Sequence, residues 1–498
     1  MYGSPGILLL LCLIAAKPTV QTEPAASPRV VIVGAGASGI AAASRLLQNG
    51  IDDVLILEAE GRIGGRVNTV EFDDYVVDLG AQWVHGHEGN VAYDLAAPLN
   101  LTDHSDPFVF KLCTSNGAEI DPELTNNITN VFLYYLEQMN DTDLVGCSGS
   151  LSSCVEPKLR EELAQYPALN ETTIEELLWT YNIMVTGLDP ADTWDDIAAC
   201  QGNEEGSGGD RAVNWKNRGY STILDILMKK LPNPEEELPV LNKTILNAEV
   251  TKIDYSSEDG PVKLTTKDGK EYVADHVIMT PSLGVLKAQH EAMFNPQLPE
   301  SKIKNIKNIG FGNAAKVWLA FDDTWYNERD FKNLVYLLMW SDAYRNELEN
   351  DPKKKWMPYT ASVNIVEHKP RLLLLWISGK GGALMDDLTD EEVLEHSKEL
   401  LHSFFSKDYN VTDPVAMIRS KWHQNKHFRG TYSYPSVDTA KTQTSARQLG
   451  EPVLKMGKPV ILFAGEATNP GNYATVHGAI GAGWREADRL ISLYSKNK

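Results

Sequence analysis

The stretch from Arg29 to Glu58 sets short apolar runs against glycine and alanine in an order that predicts strand, turn, helix and strand. Val30-Val31-Ile32-Val33 is an apolar run of strand length. It stops at Gly34-Ala35-Gly36-Ala37-Ser38-Gly39, an alanine-rich helical stretch follows from Ile40 to Asn49, and a second run, Asp53 to Leu57, ends on Glu58. Further on, Asn100 to Leu231 predicts helical stretches with loops, among them Thr173 to Val185. Leu231-Pro232-Asn233-Pro234-Glu235-Glu236-Glu237 is a breaker-rich junction. Strands resume at Ala248 to Tyr255, Val262 to Thr266 and Asp275 to Thr280, with Asp268-Gly269 as a hairpin turn. Strands at Ala315 to Phe321 and Arg371 to Ile377 and a helix at Thr389 to Phe405 come next. A last strand, Val460 to Ala464, precedes a glycine turn and a terminal helix carrying Arg485, Glu486, Asp488 and Arg489, which makes that helix amphipathic and no membrane anchor. Period-two alternation sets Lys316 on one face with Ala314, Trp318 and Ala320. By pattern alone such a lysine is an edge-strand gatekeeper.

The first glycine turn has a chemical reading. Gly34 makes the tight turn, Gly36 lets backbone approach a pyrophosphate, and Gly39 lets helix and strand pack closely. With Ser38, these residues open a helix whose first N–H groups favour phosphate. Glu58, at the end of the second strand, can accept hydrogen bonds from ribose hydroxyls, and its charge disfavours a 2′-phosphate. A second turn follows at once in Ala59-Glu60-Gly61-Arg62-Ile63-Gly64-Gly65-Arg66. Two adjacent glycines allow close backbone approach there, and Arg66 can neutralise a pyrophosphate.

The Glu-x-x-x-Arg-x-Gly-Gly-Arg extension resembles the hallmark of the flavin-containing amine oxidases. The resemblance implies FAD and an α/β fold of mixed α+β character, with a Rossmann-like FAD-binding domain interleaved with a substrate domain of mixed sheet plus helices. It sets the FAD-binding segments at 28–99, 237–293 and 445–498, and the substrate-binding segments at 100–236 and 294–444. Four later segments are similar to the same family. Gly80-Ala81-Gln82-Trp83-Val84-His85-Gly86 is similar to the segment that passes the flavin, with His85, as in animal-type polyamine oxidases, against substrate. Lys316 matches the lysine that holds a water against flavin N5 and favours negative charge on reduced flavin. Trp422, Phe428 and Tyr432 match the aromatic walls that face flavin and amine. Glu466 matches a further FAD contact, Thr475 and Val476 open the last helix towards the flavin N1–C2=O edge, and Val250 matches the adenine end. Trp83, Trp422 and Thr475 thus stand on both the substrate and the cofactor side. The segment lacks the cysteine that binds flavin covalently in monoamine oxidases, so the resemblance implies non-covalent FAD. It also implies a polycationic amine as substrate with O2 as acceptor. A monoamine or L-amino-acid oxidase, or a non-catalytic flavin-binding scaffold, shares the cofactor motifs. An amino-acid oxidase requires an arginine at the substrate carboxylate, for which Arg429 is a candidate.

Composition narrows this further. At 498 residues, two or three domains are expected. A net charge of −22 argues against nucleic acid as partner, whereas a polycation is attracted to it. The apolar run Gly6 to Ala16 is too short to span a bilayer and suits the core of a signal peptide over residues 1–16, although no Lys or Arg precedes it. Sequons at Asn100, Asn127, Asn140, Asn170, Asn242 and Asn410 agree with secretion. So do Cys113, Cys147, Cys154 and Cys200, which lie close enough in sequence to staple one subdomain in any of three pairings. No C-x-x-C spacing exists, and no metal site is read. Oligomeric state has no signal in the sequence.

Overall fold

The structure is a computed structural model that describes residues 28–117, 120–138, 147–199, 206–210, 212–326 and 333–495. The apolar run of Gly6 to Ala16, the sequon at Asn140 and Cys200 lie outside the described residues.

Val30–Val33 lies at the centre of a six-stranded sheet, between His276–Met279 and Val54–Leu57. Lys458–Phe463 and Thr244–Ile245 extend it in parallel, and Val453–Lys455 closes one edge antiparallel. The uninterrupted apolar runs make sense here because both faces of the central strands Val30–Val33 and His276–Met279 are buried. Val30 and Ile32 join a core with the helices Ala37–Gln48 and Val476–Ser495. Val31 and Val33 point the other way, into a core shared with Val250, Ile253, Leu264 and Leu283. Ala41, Ala42 and Ala43 are fully buried where the first helix meets the last. Truncating a buried residue such as Ile32 to alanine costs about 2–5 kcal/mol. The hairpin across Asp268-Gly269 forms as the pattern predicts, from Val262–Thr266 and Glu271–Ala274, in a four-stranded sheet on that second face.

A second six-stranded sheet runs in the order Ala416–Arg419, Ala314–Ala320, Leu372–Ser378, Thr360–Ile365, Leu334–Met339, Val109–Thr114. Its pairs are antiparallel except the last. Val109–Thr114 lies in a stretch expected to be helical. Its short apolar run becomes a strand by pairing with Leu334–Met339, a partner far away in sequence. The helix Asp390–Phe405, started by a capping box of Thr389 and Glu392, buries Phe404 and Phe405 against this sheet. The helix Glu171–Leu188, capped by Asn170, packs across another face. The hairpin Thr69–Phe72 and Tyr75–Asp78, although it belongs to the first segment, folds under Trp318, Leu372 and Leu374. That crossing brings the two sheets to one site.

The packing shifts two expected boundaries. Val213, Trp215, Tyr220, Ile223 and Leu227, inside the expected substrate segment 100–236, pack in the core of the first sheet. Phe294, Leu298, Ile306 and Ile309, inside 294–444, likewise pack on its second face. The breaker run at Leu231 to Glu237 marks a turn of the chain rather than a passage between cores. Cys113 is buried in the core of the second sheet, while Cys147 and Cys154 cluster with Ala199. Among the described residues no helix is long and apolar enough to cross a membrane.

Candidate active site

One cavity of about 1030 Å³ runs from the first glycine turn to the second sheet. At its near end the chain leaves Val33 through Gly34, whose φ of +106° is open to glycine. A Cβ on Gly39 would stand 2.0 Å from the Gly34 carbonyl oxygen, so helix and strand meet here only without side chains. Gly34, Gly36 and Ser38 line the cavity, and Gly39 lies beneath the turn. The first helix starts at Gly36 with no side-chain cap. Glu58 is buried, with its carboxylate accepting from the Ala35 amide at 2.6 Å and the Glu60 amide at 2.7 Å. Burial lifts its carboxyl above the ordinary value, against the pull of those amides. Val250 lines the same end.

The half-buried Arg66 and the buried Glu466 form a knot. Arg66 Nη1 donates to Glu466 Oε1 at 2.9 Å and to the Thr431 carbonyl at 2.5 Å. The other oxygen of Glu466 accepts from the Ser433 hydroxyl at 2.6 Å and the Ala474 amide at 3.0 Å. One carboxylate thereby ties the second glycine turn to the aromatic segment and to the entry of the last helix. Thr475 caps that helix, its hydroxyl accepting from the Gly478 amide at 3.0 Å and donating to the Asn472 carbonyl at 2.7 Å. This hydroxyl is therefore committed to the chain, while Thr475 and Val476 still line the cavity.

Lys316 is 4% exposed. Its strand is flanked on both sides, Lys316 facing Trp376 on one neighbour and its carbonyl accepting from the Ser420 amide on the other. The edge-gatekeeper reading therefore fails: alternation shows which face a residue takes, but not whether the strand has neighbours. Lys316 Nζ lies 5.7 and 5.3 Å from the ring centroids of Trp83 and Trp376. It donates to the Gly80 carbonyl at 2.7 Å, Gln82 Oε1 at 2.7 Å and the Asp78 carbonyl at 3.3 Å. Three acceptors suit the three donors of an ammonium. The expected water-holding lysine is thus one whose donors are already directed at the chain. Burial pulls Lys316 well below the usual lysine range, and the Asp78 charge opposes that pull. The backbone can pass this closely because Gly80 has no side chain: a Cβ there would stand 1.8 Å from the Arg66 carbonyl oxygen. Gly80, Ala81, Gln82 and Trp83 all line the cavity.

The aromatic candidates divide. Trp422 donates from Nε1 to the Leu79 carbonyl at 3.1 Å and meets Phe428 edge to face at 5.1 Å. Phe428, expected against substrate, lies instead beside the second glycine turn, with the Arg62 guanidinium 6.0 Å from its ring centroid. The chain reverses directly after it, Arg429 and Gly430 both taking positive φ. Tyr432 donates its hydroxyl to the Gly187 carbonyl at 2.9 Å, on the side of the second sheet, and burial raises its phenol. His85 is exposed and lines the cavity mouth beside the buried His477. Arg429 is exposed and outside the lining, and Arg66 is the one arginine among the described lining residues.

Sequence reasoning missed Trp376, Asp78 and the Asn90–His477 pair. Trp376 lay within a run read as a strand, but nothing local pairs it with Lys316. Ser362 and Asn364, hydrogen-bonded to each other at 3.0 Å, supply a further polar patch on the second sheet's side of the cavity.

Comparison with known proteins agrees with this arrangement. The family described as flavin containing amine oxidoreductase matches residues 37–491. The chain is similar to the peroxisomal N(1)-acetyl-spermine/spermidine oxidases of Bos taurus and Homo sapiens, at 29% identity to each, covering 95% of this chain and 96% of each relative. It is also similar to probable polyamine oxidase 5 of Arabidopsis thaliana, at 28% identity over 94% of this chain and 99% of that protein. With a family match over nearly all of the described chain, and with glycine turns, buried glutamate and buried lysine on one cavity, this protein belongs to the flavin-containing amine oxidoreductases.

Proposed function

We propose that this enzyme oxidises polyamines (spermine, spermidine or their N-acetylated forms) at a carbon beside a secondary amine. The products are an amine, an aminoaldehyde and hydrogen peroxide. Its cofactor is FAD, and the described residues fit that group: an uncapped helix start for phosphates, Glu58 for ribose hydroxyls, and one cavity continuous from that turn to Lys316. Bound there, the flavin supplies the two-electron chemistry and passes the electrons to O2.

The observation that carries the reading is Lys316, held under Trp83 and Trp376 where the cofactor half of the cavity meets the second sheet. The chain's part is to bind and orient. Trp83, Trp376 and Tyr432 offer apolar and π surface along which an alkylamine packs, its reacting nitrogen neutral and its remaining ammonium groups favoured by the rings. His85, at the mouth, can take a hydrogen bond from a substrate amine. The buried lysine favours negative charge beside it once electrons have arrived. An amino-acid oxidase is disfavoured, since Arg66 is tied to Glu466 and Arg429 is exposed and outside the cavity lining. A peroxide-release assay over spermine, spermidine, their N1-acetyl forms, benzylamine and L-amino acids tests this. Turnover confined to the polyamines is expected, and preference for benzylamine or an amino acid would overturn it. We also infer passage through the secretory pathway, supported by exposed sequon asparagines at Asn100, Asn170, Asn242 and Asn410. Mass analysis after expression in a eukaryotic host should find glycans there and an N-terminus trimmed near Ala16.

A further inference from the structure

Beside Lys316 lies a second, much smaller cavity of about 20 Å³, lined by Asp78, Gln82, Trp83, Asn214, Glu367 and Lys369 among others. Gln82 and Trp83 line both cavities. The space suits one water molecule, which needs about 10–15 Å³ and two to four polar partners. Two of its groups are set apart by their surroundings. Lys369 is 8% exposed, and no hydrogen bond or ion pair among the described residues reaches its ammonium. Gln82 Nε2 is buried without a partner, because the amide's oxygen is turned to Lys316.

The remaining charged groups around this space are committed or outside. Glu367 accepts from the Asp106 amide at 2.9 Å and from Asn214 Nδ2 at 2.7 Å. Lys216 donates to the Asn100 carbonyl at 3.1 Å and to its side chain at 2.8 Å. Arg218 is exposed. Asp78 accepts from the Thr69 hydroxyl at 2.5 Å and from the Tyr220 amide at 3.1 Å, and its own carbonyl receives Lys316. Two buried carboxylates, Asp78 and Glu367, thus stand with two buried lysines, Lys316 and Lys369. Of these four, Lys369 is the one whose charged group has no hydrogen-bond partner among the described residues. A buried charge without a full partner is costly. The Tyr220 phenol is also buried against Asp78, which raises it further.

We propose that Asp78 and Lys369 are positioning residues that set the charge on Lys316 from behind, coupled to each other and to Gln82 by a water held in the small cavity. Asp78 holds the proton on Lys316 and Lys369 opposes it, so the balance between them decides how readily the cofactor-side lysine becomes neutral. The consequence for catalysis rests on the amine-oxidase reading, whereas the coupling itself does not depend on which amine is the substrate. Burial pulls Lys369 down from the ordinary lysine value as well, with Asp78 opposing.

The test is a titration of the holoenzyme carrying lysine labelled with 13C at Cε, read by NMR. The Lys316 signal is assigned by its loss in Lys316→Met. Asp78→Asn should move the Lys316 midpoint to lower pH, Lys369→Met should move it to higher pH, and Lys369→Arg should leave it at the parent value. Shifts of opposite sign are not produced by general loosening of the site. An unmoved midpoint in Lys369→Met, or shifts of the same sign in Lys369→Met and Asp78→Asn, would overturn the proposal. Should Asp78→Asn fail to fold, the Lys369→Met and Lys369→Arg pair decides alone. Failure of the polyamine panel with opposite shifts intact would reject the substrate reading and leave this coupling standing.

Discussion

Lys316 gives up much hydration to sit at 4% exposure, and the geometry returns three acceptors and two indole faces in exchange. Lys316→Met keeps the stem between Trp83 and Trp376 and removes the charge. The fold and FAD should survive, because neither glycine turn nor Glu58 touches this side chain. Removing one positioned electrostatic group costs about 10²–10³ in rate. Stopped-flow spectra should show that loss in flavin reduction by polyamine, in reoxidation by O2, or in both. Unchanged rates in both halves would reduce Lys316 to a structural lysine. Its candidacy came from the resemblance of the motif around it to the family's. Its partners were not legible, because Trp376 reaches it by strand pairing and Asp78 by the fold of a hairpin.

Among elements, the start of the last helix has the most specific hydrogen bonding. Asn90 uses its oxygen to cap its own short helix, accepting from the Ala92 and Tyr93 amides, so its nitrogen must face His477 Nδ1, at 3.2 Å. His477 Nε2 then donates to Asn472 Oδ1 at 3.1 Å. This fixes a neutral imidazole whose Nδ1 accepts, and burial with the neighbouring His85 pulls its pKa down from 6.5 to about 3. The folded chain refuses a proton that the unfolded chain takes up. The stabilisation is therefore whole above pH 6.5 and is lost progressively as pH falls from there towards 3. Thermal midpoints of the holoenzyme should fall with acidification over that window, and less steeply in His477→Gln than in the parent. Parallel slopes in the two proteins would remove His477 as the cause. Pattern alone showed that a helix begins near here. It could not show the lock, which joins residues 90, 472 and 477.

For the whole molecule, 68 acidic against 46 basic residues leave a net charge of −22. A field of that sign raises the local concentration of a polycation and is screened by salt within a Debye length of about 8–10 Å at ordinary ionic strength. KM for spermine, a proposed substrate, should accordingly rise with added salt while kcat stays nearly level, because the rings of Trp83, Trp376 and Tyr432, proposed to pack against the amine, carry no net charge. A KM that does not respond to salt would confine the acidic surface to a solubility role. The expectation of two interleaved domains came from the family resemblance, which the order of apolar runs fits. The boundaries were not legible, since residues from Val213 to Leu227 return to the first core after an excursion through the second.

Consecutive residues determined the dinucleotide turn by themselves. Gly34, Gly36, Gly39 and Glu58 act through backbone conformation and one strand end, so strand–turn–helix order suffices to place them. The second glycine turn is equally local. Tertiary structure alone decided what surrounds Lys316, which faces of Trp83 and Trp376 it meets, and that Phe428 belongs beside the glycine turn. Those contacts join segments separated by tens to hundreds of residues, and their energies come from strand register and burial, which no stretch of sequence holds on its own.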